Sequence, residues 1–165
     1  MTSSKNPRGL VIGVGNQFRG DDAVGLLVAH ALKERFPKQC EAVEETGDGS
    51  RLMELWKNSQ VTILIDAVKS GAEPGQIHRH EAHGSPLPAS LFQYSTHAFG
   101  IPQAIELART LNELPQRLIV YGIEGTCFNQ DSSMSEPVMR SASKVVESIA
   151  RDITQYQPLT NPTLT

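Results

Sequence analysis

The stretch LVIGVGNQFRGDDAVGLLVAHAL, residues 10–32, joins a continuously apolar run to a glycine-containing loop and a helical pattern. The run Leu10–Val14 is typical of a parallel strand that is buried on both faces. Asp21 or Asp22 then begins a predicted helix, which Pro37 ends. The apolar residues of this helix recur at the spacing of one buried stripe: Val24, Leu27, Val28, Ala31 and Leu32. A strand followed by a helix is the repeating unit of an α/β fold.

The same alternation continues along the rest of the chain. Further strands are predicted at 41–46, 61–65, 75–81 and 118–123, and further helices around 52–56, 101–111 and 136–153. The strand at 75–81 is polar and therefore belongs at an edge. This order predicts a three-layer α/β/α sandwich with a mostly parallel, five-stranded sheet and one antiparallel or edge strand. We expect a single domain over 1–153 and a flexible C-terminal tail over 154–165.

Composition excludes several classes of protein. The 165 residues include 15 Lys and Arg against 18 Asp and Glu, a net charge of −3 without a basic block, so no nucleic-acid partner is expected. Cys40 and Cys127 are too few for a disulfide framework or a Cys-based zinc site. The sequence has no signal-peptide core and no apolar run of membrane length, so we expect a cytoplasmic protein without a membrane partner.

The loop over residues 13–22 invites two phosphate-binding interpretations, and both fail. In a dinucleotide site the third glycine would stand where Phe18 is. In a P-loop the glycine spacing is right, but Asp21 and Asp22 replace the Lys-Ser/Thr pair. Two carboxylates repel a phosphate, so this loop suits a cation better than an anion.

Asp22, Asp66 and His97 each stand where a strand-like run gives way to a turn or a helix. Because the carboxyl ends of parallel strands share one crevice, we expect these three metal-competent side chains to converge there. Simpler roles stay open for each of them. Asp21 or Asp22 caps the first helix, Asp66 accepts N–H bonds from the following loop, and His97 bonds near the start of a helix.

The sequence also offers other catalytic arrangements. Cys127 with His97 and Asp66 would make a thiol nucleophile set, although a lone cysteine is more often a small buried apolar residue. Glu124 also ends a strand, where it contacts the substrate or accepts hydrogen bonds from a loop. The chain contains neither His-Glu-x-x-His nor Gly-x-Ser-x-Gly, so a resident catalytic zinc and a serine hydrolase are not expected.

Five short motifs follow one another along the chain. They are Gly13-Val14-Gly15-Asn16, Asp21-Asp22-Ala23-Val24-Gly25, Ile65-Asp66-Ala67, Ser95-Thr96-His97-Ala98-Phe99-Gly100 and Tyr121-Gly122-Ile123-Glu124. Together they resemble the nickel-iron hydrogenase maturation endopeptidases, and the resemblance extends over about residues 8–153. Because five ordered motifs are far more specific than one glycine pattern, the chain is identified as a member of that family.

The resemblance implies an activity and a site. Family members cut a C-terminal extension from the precursor of the hydrogenase large subunit after nickel has been loaded into it. Asp22, Asp66 and His97 match the family's three metal-binding positions, and the family fold is a twisted five-stranded sheet between helices. The nickel then arrives with the substrate, so no permanently bound metal is expected.

Two carboxylates and one imidazole leave coordination positions open on a nickel ion. Such an ion polarises the scissile carbonyl or lowers the pKa of a bound water, and Asp22 or Asp66 serves as ligand or as general base. A non-catalytic nickel-sensing chaperone of the immature subunit and an unrelated small-molecule α/β hydrolase are the alternatives.

The chain departs from the family pattern at two places. Ala23 stands where many members have glycine. The common Asp-Gly-Gly turn is replaced by Glu44-Glu45-Thr46-Gly47-Asp48-Gly49. This leaves open which of Glu44, Glu45 and Asp48 serves that corner and which hydrogenase is recognised.

Overall fold

Strands and helices alternate along residues 9–156, the part of the chain that the computed structural model describes. The strands are β1 (Gly9–Val14), β2 (Cys40–Glu45), β3 (Val61–Val68), β4 (Ile77–Glu81) and β5 (Arg117–Glu124). The helices are α1 (Val24–Arg35), α2 (Gly49–Trp56), α3 (Ile101–Thr110) and α4 (Glu136–Gln155), and a short 3-10 turn, Gly20–Ala23, precedes α1. Each predicted strand and helix is therefore present at its expected place.

The five strands form one sheet in the order β2-β1-β3-β5-β4. β2, β1, β3 and β5 are parallel, and β4 pairs antiparallel with β5 at the edge. Ile12 of β1 lies opposite Val43 of β2 on one side and Leu64 of β3 on the other. The predicted mostly parallel sheet with one antiparallel edge strand is confirmed.

Helices cover both faces of this sheet, which makes the three layers. On one face α1 and α4 pack against the strands, and on the other face α2 and α3 do so. Successive strand residues alternate between the two layers: Ile63 and Ile65 belong to the first cluster, whereas Leu64 belongs to the second. Both faces of the central strands are thus buried, which explains their continuously apolar sequences.

The buried stripe of α1 differs from the predicted one. Leu27 is 44% exposed and Ala31 is half-buried, whereas Gly25 and Ala29 are buried. The predicted helix start at Asp21 or Asp22 is a 3-10 turn, and α1 itself begins at Val24. Val24, Val28 and Leu32 are buried as predicted, so the predicted stripe is correct in part; Gly25 and Ala29 take the places of Leu27 and Ala31 on the buried face of α1.

Two boundaries also differ from prediction. β3 continues past Ile65 to Val68, because all eight of its residues pair with β5, and Asp66 therefore lies inside the strand. α4 continues through Gln155, beyond the expected end of the domain. Residues 1–8 of the predicted domain and 157–165 of the predicted tail lie outside the described residues. Within 9–156, no helix is both long and apolar enough to cross a membrane.

A buried polar cluster joins β4, β5 and α4. The hydroxyl of Tyr121, which is 1% exposed, donates to Asp152 and lies 2.7 Å from Ser148 Oγ. Arg79 donates to both carboxylate oxygens of Asp152, at 2.8 and 3.3 Å. Burial, followed by the bond to the Asp152 carboxylate, raises the pKa of Tyr121 to about 12.

We expect the stability of the chain to fall between about pH 10 and 12 as this phenol ionises. The unfolded tyrosine loses its proton near pH 10 and the folded one only near 12, so the stabilisation is complete below 10 and disappears above 12. Two pKa units correspond to about 2–3 kcal/mol. Tyr121→Phe should flatten this part of a urea-unfolding pH profile, and Tyr94→Phe, which alters an exposed ring, should not. An unchanged alkaline loss in Tyr121→Phe would show that another group causes it.

Candidate active site

A cleft of about 250 Å³ opens at the carboxyl ends of β1, β2 and β3. β2 and β3 lie on opposite sides of β1, so the chain reverses its direction of travel across the sheet at this point. Ligands of open α/β sheets bind at such switch points. Asp22, Asp66 and His97 all line this cleft, which brings together three residues that are far apart in sequence.

Backbone hydrogen bonds hold Asp22 at the cleft. Its N–H donates to the carbonyl of Arg19 at 3.0 Å, and its own carbonyl accepts from the N–H of Asn16 at 3.2 Å. Burial raises the pKa of the half-buried Asp22 carboxyl, although the Arg19 guanidinium, the Asn16 N–H and the His97 imidazole act in the opposite direction. The carboxyl is therefore held in a setting that disfavours its charge.

Asp66 stands in β3, opposite Gly122 of β5, and is half-buried. Burial raises the pKa of its carboxyl well above the ordinary value, and the neighbouring Asp22 charge raises it further. A hydrogen bond from the Ala67 N–H acts against these effects without overcoming them. Because two carboxylates that repel each other are relieved by a shared cation, the pair is suited to a metal ion.

His97 is exposed and its ring is oriented by the corner after β2. Its Nε2 lies 2.9 Å from the carbonyl oxygen of Thr46, and its backbone N–H donates to Ser95 Oγ at 3.3 Å. Because a carbonyl only accepts, Nε2 donates this hydrogen bond, and Nδ1 is the ring nitrogen that takes no part in it. A backbone carbonyl that orients the second ring nitrogen is the usual support of a metal-binding histidine.

The three side chains share the cleft without forming a closed ligand set. Among residues 9–156, no group of three or more His, Cys, Asp or Glu side chains is arranged to hold a metal ion by itself. Asp22 nevertheless interacts electrostatically with both of the others: the His97 imidazole lowers the pKa of Asp22, and the Asp22 charge raises the pKa of Asp66.

Comparison with known proteins agrees with this geometry. A family model described as hydrogenase maturation protease matches residues 26–152. The chain belongs to the hydrogenase maturation protease family. The hydrogenase 2 maturation protease of Escherichia coli K12 is 32% identical to it over 121 residues, which is 69% of this chain and 71% of that protein.

Two further matches differ in how much of the relative they cover. The hydrogenase expression/formation protein HupD of Thiocapsa roseopersicina is 26% identical over 121 residues, 72% of this chain, and the match spans only 55% of HupD. The solved structure of the hydrogenase maturating endopeptidase HybD from E. coli superimposes with a TM-score of 0.75. It is 23% identical, with 90% of this chain and 93% of that one covered, and shares the fold.

The prediction that Asp21 caps the helix is wrong. Its carboxylate is completely buried and accepts hydrogen bonds from the N–H groups of Thr126, Cys127 and Ser135 at 2.8, 3.0 and 2.7 Å. Burial alone would raise the pKa of Asp21, but these bonds outweigh it and lower the value. Asp22 makes no helix-capping bond either. In this member of the family the first aspartate holds the β5–α4 loop and the second faces the cleft.

Cys127 and Glu124 take structural positions. Cys127 is half-buried beside Asp21 and does not line the cleft, so it is not placed with Asp66 and His97 as a nucleophile set. Glu124 is 2% exposed and accepts from the N–H groups of Ser70 and Ala72 at 2.7 and 2.9 Å. The loop hydrogen bond expected for Glu124 is confirmed.

The acidic corner after β2 contributes backbone rather than carboxylates to the cleft. Glu44 is exposed, Glu45 pairs with Arg51 at 3.1 Å, and Asp48 caps α2 by accepting from the Ser50 N–H at 3.0 Å. None of the three lines the cleft, whereas the intervening Thr46 and Gly47 do. The altered turn thus orients His97 through the Thr46 carbonyl, and its three acidic side chains lie outside the cleft.

Several cleft residues were not predicted from the sequence. Arg19 and Lys69 bring two cations, and aromatic side chains form part of the wall: Phe92, Tyr94 and Phe128. The signal available for Lys69 was its position directly after β3, three residues beyond Asp66. No local sequence signal indicates that Phe128 lines the cleft, because this residue lies in the β5–α4 loop and reaches the cleft only in the folded chain.

Proposed function

We propose that this chain is an endopeptidase that removes the C-terminal extension of a nickel-loaded nickel-iron hydrogenase large-subunit precursor. Asp22, Asp66 and His97 recognise the nickel that the substrate carries. One observation supports this above all: the three residues line a single cleft at the switch point of a hydrogenase maturation protease fold. Membership of the family supplies the class of reaction and of substrate.

The electrostatics of the cleft favour a divalent cation. Burial and mutual repulsion make the Asp22–Asp66 pair costly to charge, and a cation removes that cost. Imidazole and carboxylate ligands suit Ni²⁺, and the Nδ1 lone pair of His97 is the remaining donor on this wall. Three protein ligands leave positions for groups of the substrate, so binding depends on a substrate that already holds nickel.

Peptide-bond cleavage requires a proton acceptor beside the ion. Asp66 is the candidate for this role because its carboxyl lines the cleft beside Asp22, and a general base needs hydrogen-bond reach of the attacking water. Its carboxylate accepts a proton from water as the water oxygen bonds to the scissile carbonyl carbon. The same proton then passes to the leaving nitrogen as the carbon–nitrogen bond breaks. Nickel held by the substrate stabilises the negative charge that develops on the carbonyl oxygen.

Incubation with large-subunit precursors tests the proposal. The purified chain is mixed with nickel-loaded and with nickel-free precursor, and mass spectrometry measures the loss of the C-terminal peptide. Rapid loss from the nickel-loaded form alone is the expected result. Stable binding without cleavage would indicate the non-catalytic nickel-sensing chaperone, and hydrolysis of small esters without precursor cleavage would indicate an unrelated hydrolase.

His97→Ala should slow cleavage of nickel-loaded precursor by at least about 10- to 100-fold, since loss of a residue that merely supports a metal ligand already has an effect of that size. The control is His30→Ala, which changes an exposed histidine of α1 that does not line the cleft. Both variants should unfold at the same urea concentration as the original chain. A wild-type cleavage rate in His97→Ala would remove this residue from the site.

A further inference from the structure

The cleft contains cations as well as carboxylates. Lys69 directly follows β3, and Arg19 precedes the 3-10 turn that positions Asp22; both line the cleft. Each cation lies three residues along the chain from one of the two aspartates, Lys69 from Asp66 and Arg19 from Asp22. Three residues span at most about 10–11 Å. The backbone of each cation therefore lies within this distance of the aspartate that it accompanies, on the same cleft.

Neither cation has a carboxylate partner among residues 9–156. The ion pairs of this part of the chain use other basic residues, such as Arg35 with Glu147 at 2.7 Å, and none includes Lys69 or Arg19. The Lys69 ammonium instead lies 5.8 Å from the centroid of the Tyr94 ring. Arg19 Nε donates to the carbonyl of Phe128 at 3.2 Å. Both charges thus lie on the cleft wall without a direct ion pair in the described residues, although the Arg19 guanidinium lowers the pKa of the Asp22 carboxyl through space.

We propose that Lys69 and Arg19 form an anion subsite that binds an acidic side chain of the substrate's C-terminal extension. This inference rests on the proposed function and adds a determinant of substrate choice to it. When nickel occupies the two aspartates, their negative charge is matched by the ion, and the cations remain to attract a substrate carboxylate. Tyr94, whose ring is 66% exposed, adds apolar surface beside the Lys69 ammonium.

The extension is the part of the substrate that meets this subsite. The mature side of the precursor is anchored by its nickel at Asp22, Asp66 and His97. The segment beyond the cleaved bond must leave the cleft past its wall, where Lys69 and Arg19 stand. Because an extended peptide advances about 3.3 Å per residue, the bound acidic residue lies within about three residues of the cleaved bond.

Kinetics on the full chain tests the subsite. Lys69→Met keeps the apolar stem and removes the charge; it should raise KM about tenfold, as expected for one lost charge-assisted bond, with kcat little changed. Lys57→Met, at the exposed end of α2 away from the cleft, is the matched control. Replacing the acidic residues of the extension by Asn or Gln should raise KM for the original chain and abolish the difference between it and Lys69→Met. Equal KM values for the original chain and Lys69→Met on the acidic precursor would overturn the subsite while leaving the proposed function intact.

A binding measurement decides the same question without cleavage. The protein is the double variant Asp22→Asn, Asp66→Asn, which removes the two negative charges that the nickel of the substrate would otherwise match. The probe is a synthetic peptide that spans the cleaved bond, prepared in acidic form, with Asn and Gln replacements, and with an amidated C-terminus. NMR of the Tyr94 ring and Lys69 side chain should show salt-sensitive binding of the acidic and amidated forms, weakened about tenfold by the neutral replacements. Absence of binding by the acidic form, or binding that requires only a free C-terminal carboxylate, would overturn the proposal. Failure of the original chain to cleave any precursor counts against the proposed function and leaves this measurement valid.

Discussion

Asp66→Asn should slow precursor cleavage by about 10²- to 10⁴-fold, the range for loss of a general base, and at the same time stabilise the folded chain at neutral pH. The two effects have one cause. Burial and the neighbouring Asp22 charge raise the pKa of Asp66, so the folded state resists the negative charge that the reaction needs. An amide of the same shape removes both the base and the charge.

The stabilisation should depend on pH in a defined direction. Because the folded pKa of Asp66 lies above the unfolded value of about 3.8, charging the carboxyl costs stability at neutral pH and costs nothing where both states are protonated. Asp66→Asn should therefore gain about 0.5–2 kcal/mol at pH 7, a rise of a few degrees in melting temperature, and lose that gain towards pH 4.

Thermal unfolding at several pH values, combined with the cleavage assay, measures both effects. Asp131→Asn is the matched control: this aspartate is exposed, lies outside the cleft and has a φ of 59°, which Asn accommodates well. It should change neither activity nor stability appreciably. If Asp66→Asn were both inactive and less stable than the original chain, the Asp66 carboxylate would be needed to hold the fold together. That result would contradict the expectation that its charge lowers stability in order to serve the reaction.

Gly25→Ala should destabilise the chain by about 3 kcal/mol, at the upper end of the cost of overpacking a close contact. A Cβ atom at this position would lie 2.3 Å from the carbonyl oxygen of Val14 and 2.5 Å from that of Ile65. Both atoms belong to the backbone of central strands, so neither can rotate away. α1 must move off the sheet, and the turn that holds Asp22 moves with it.

Urea unfolding and the cleavage assay together test this expectation. Activity should fall in Gly25→Ala even under conditions where the variant is folded, because the distance between Asp22 and Asp66 changes. Gly84→Ala is the control, since a Cβ there would have only the Glu81 carbonyl oxygen near it, at 3.9 Å. If the two variants were equally stable, α1 would not be packed on β1 and β3 as described.

Much of the fold was predictable because its signals are local. The apolar runs at 10–14, 61–65 and 118–123 are long enough to identify buried strands, and helical spacing identified α3 and α4. The edge position of β4 followed from its polar sequence. In α1 the apolar pattern predicts that Leu27 is buried, whereas this residue is exposed. Gly25 and Ala29 are buried instead, and such small residues carry little weight in a hydrophobic pattern.

The candidate site was predictable in composition but not in geometry. Strand-end position and the ordered motifs selected Asp22, Asp66 and His97, and the structure places all three on one cleft. Neighbouring Asp21 carries the same side chain but points into the β5–α4 loop, more than 100 residues away along the chain. Only packing separates the two aspartates, since no property of residues 20–23 distinguishes a structural carboxylate from one that faces the cleft.

Apolar periodicity was therefore sufficient for the layers, polar composition for the edge position of β4, and strand-end position with motif order for the choice of the three candidate site residues, because each of these signals depends on residues close together in sequence. The tertiary structure alone decided the raised pKa of the Asp22–Asp66 pair, the protonated nitrogen of His97 and the placing of Lys69 and Arg19 on one cleft. These properties depend on distance and solvent exclusion between segments that are remote along the chain, and such quantities exist only after the sheet has brought the segments together.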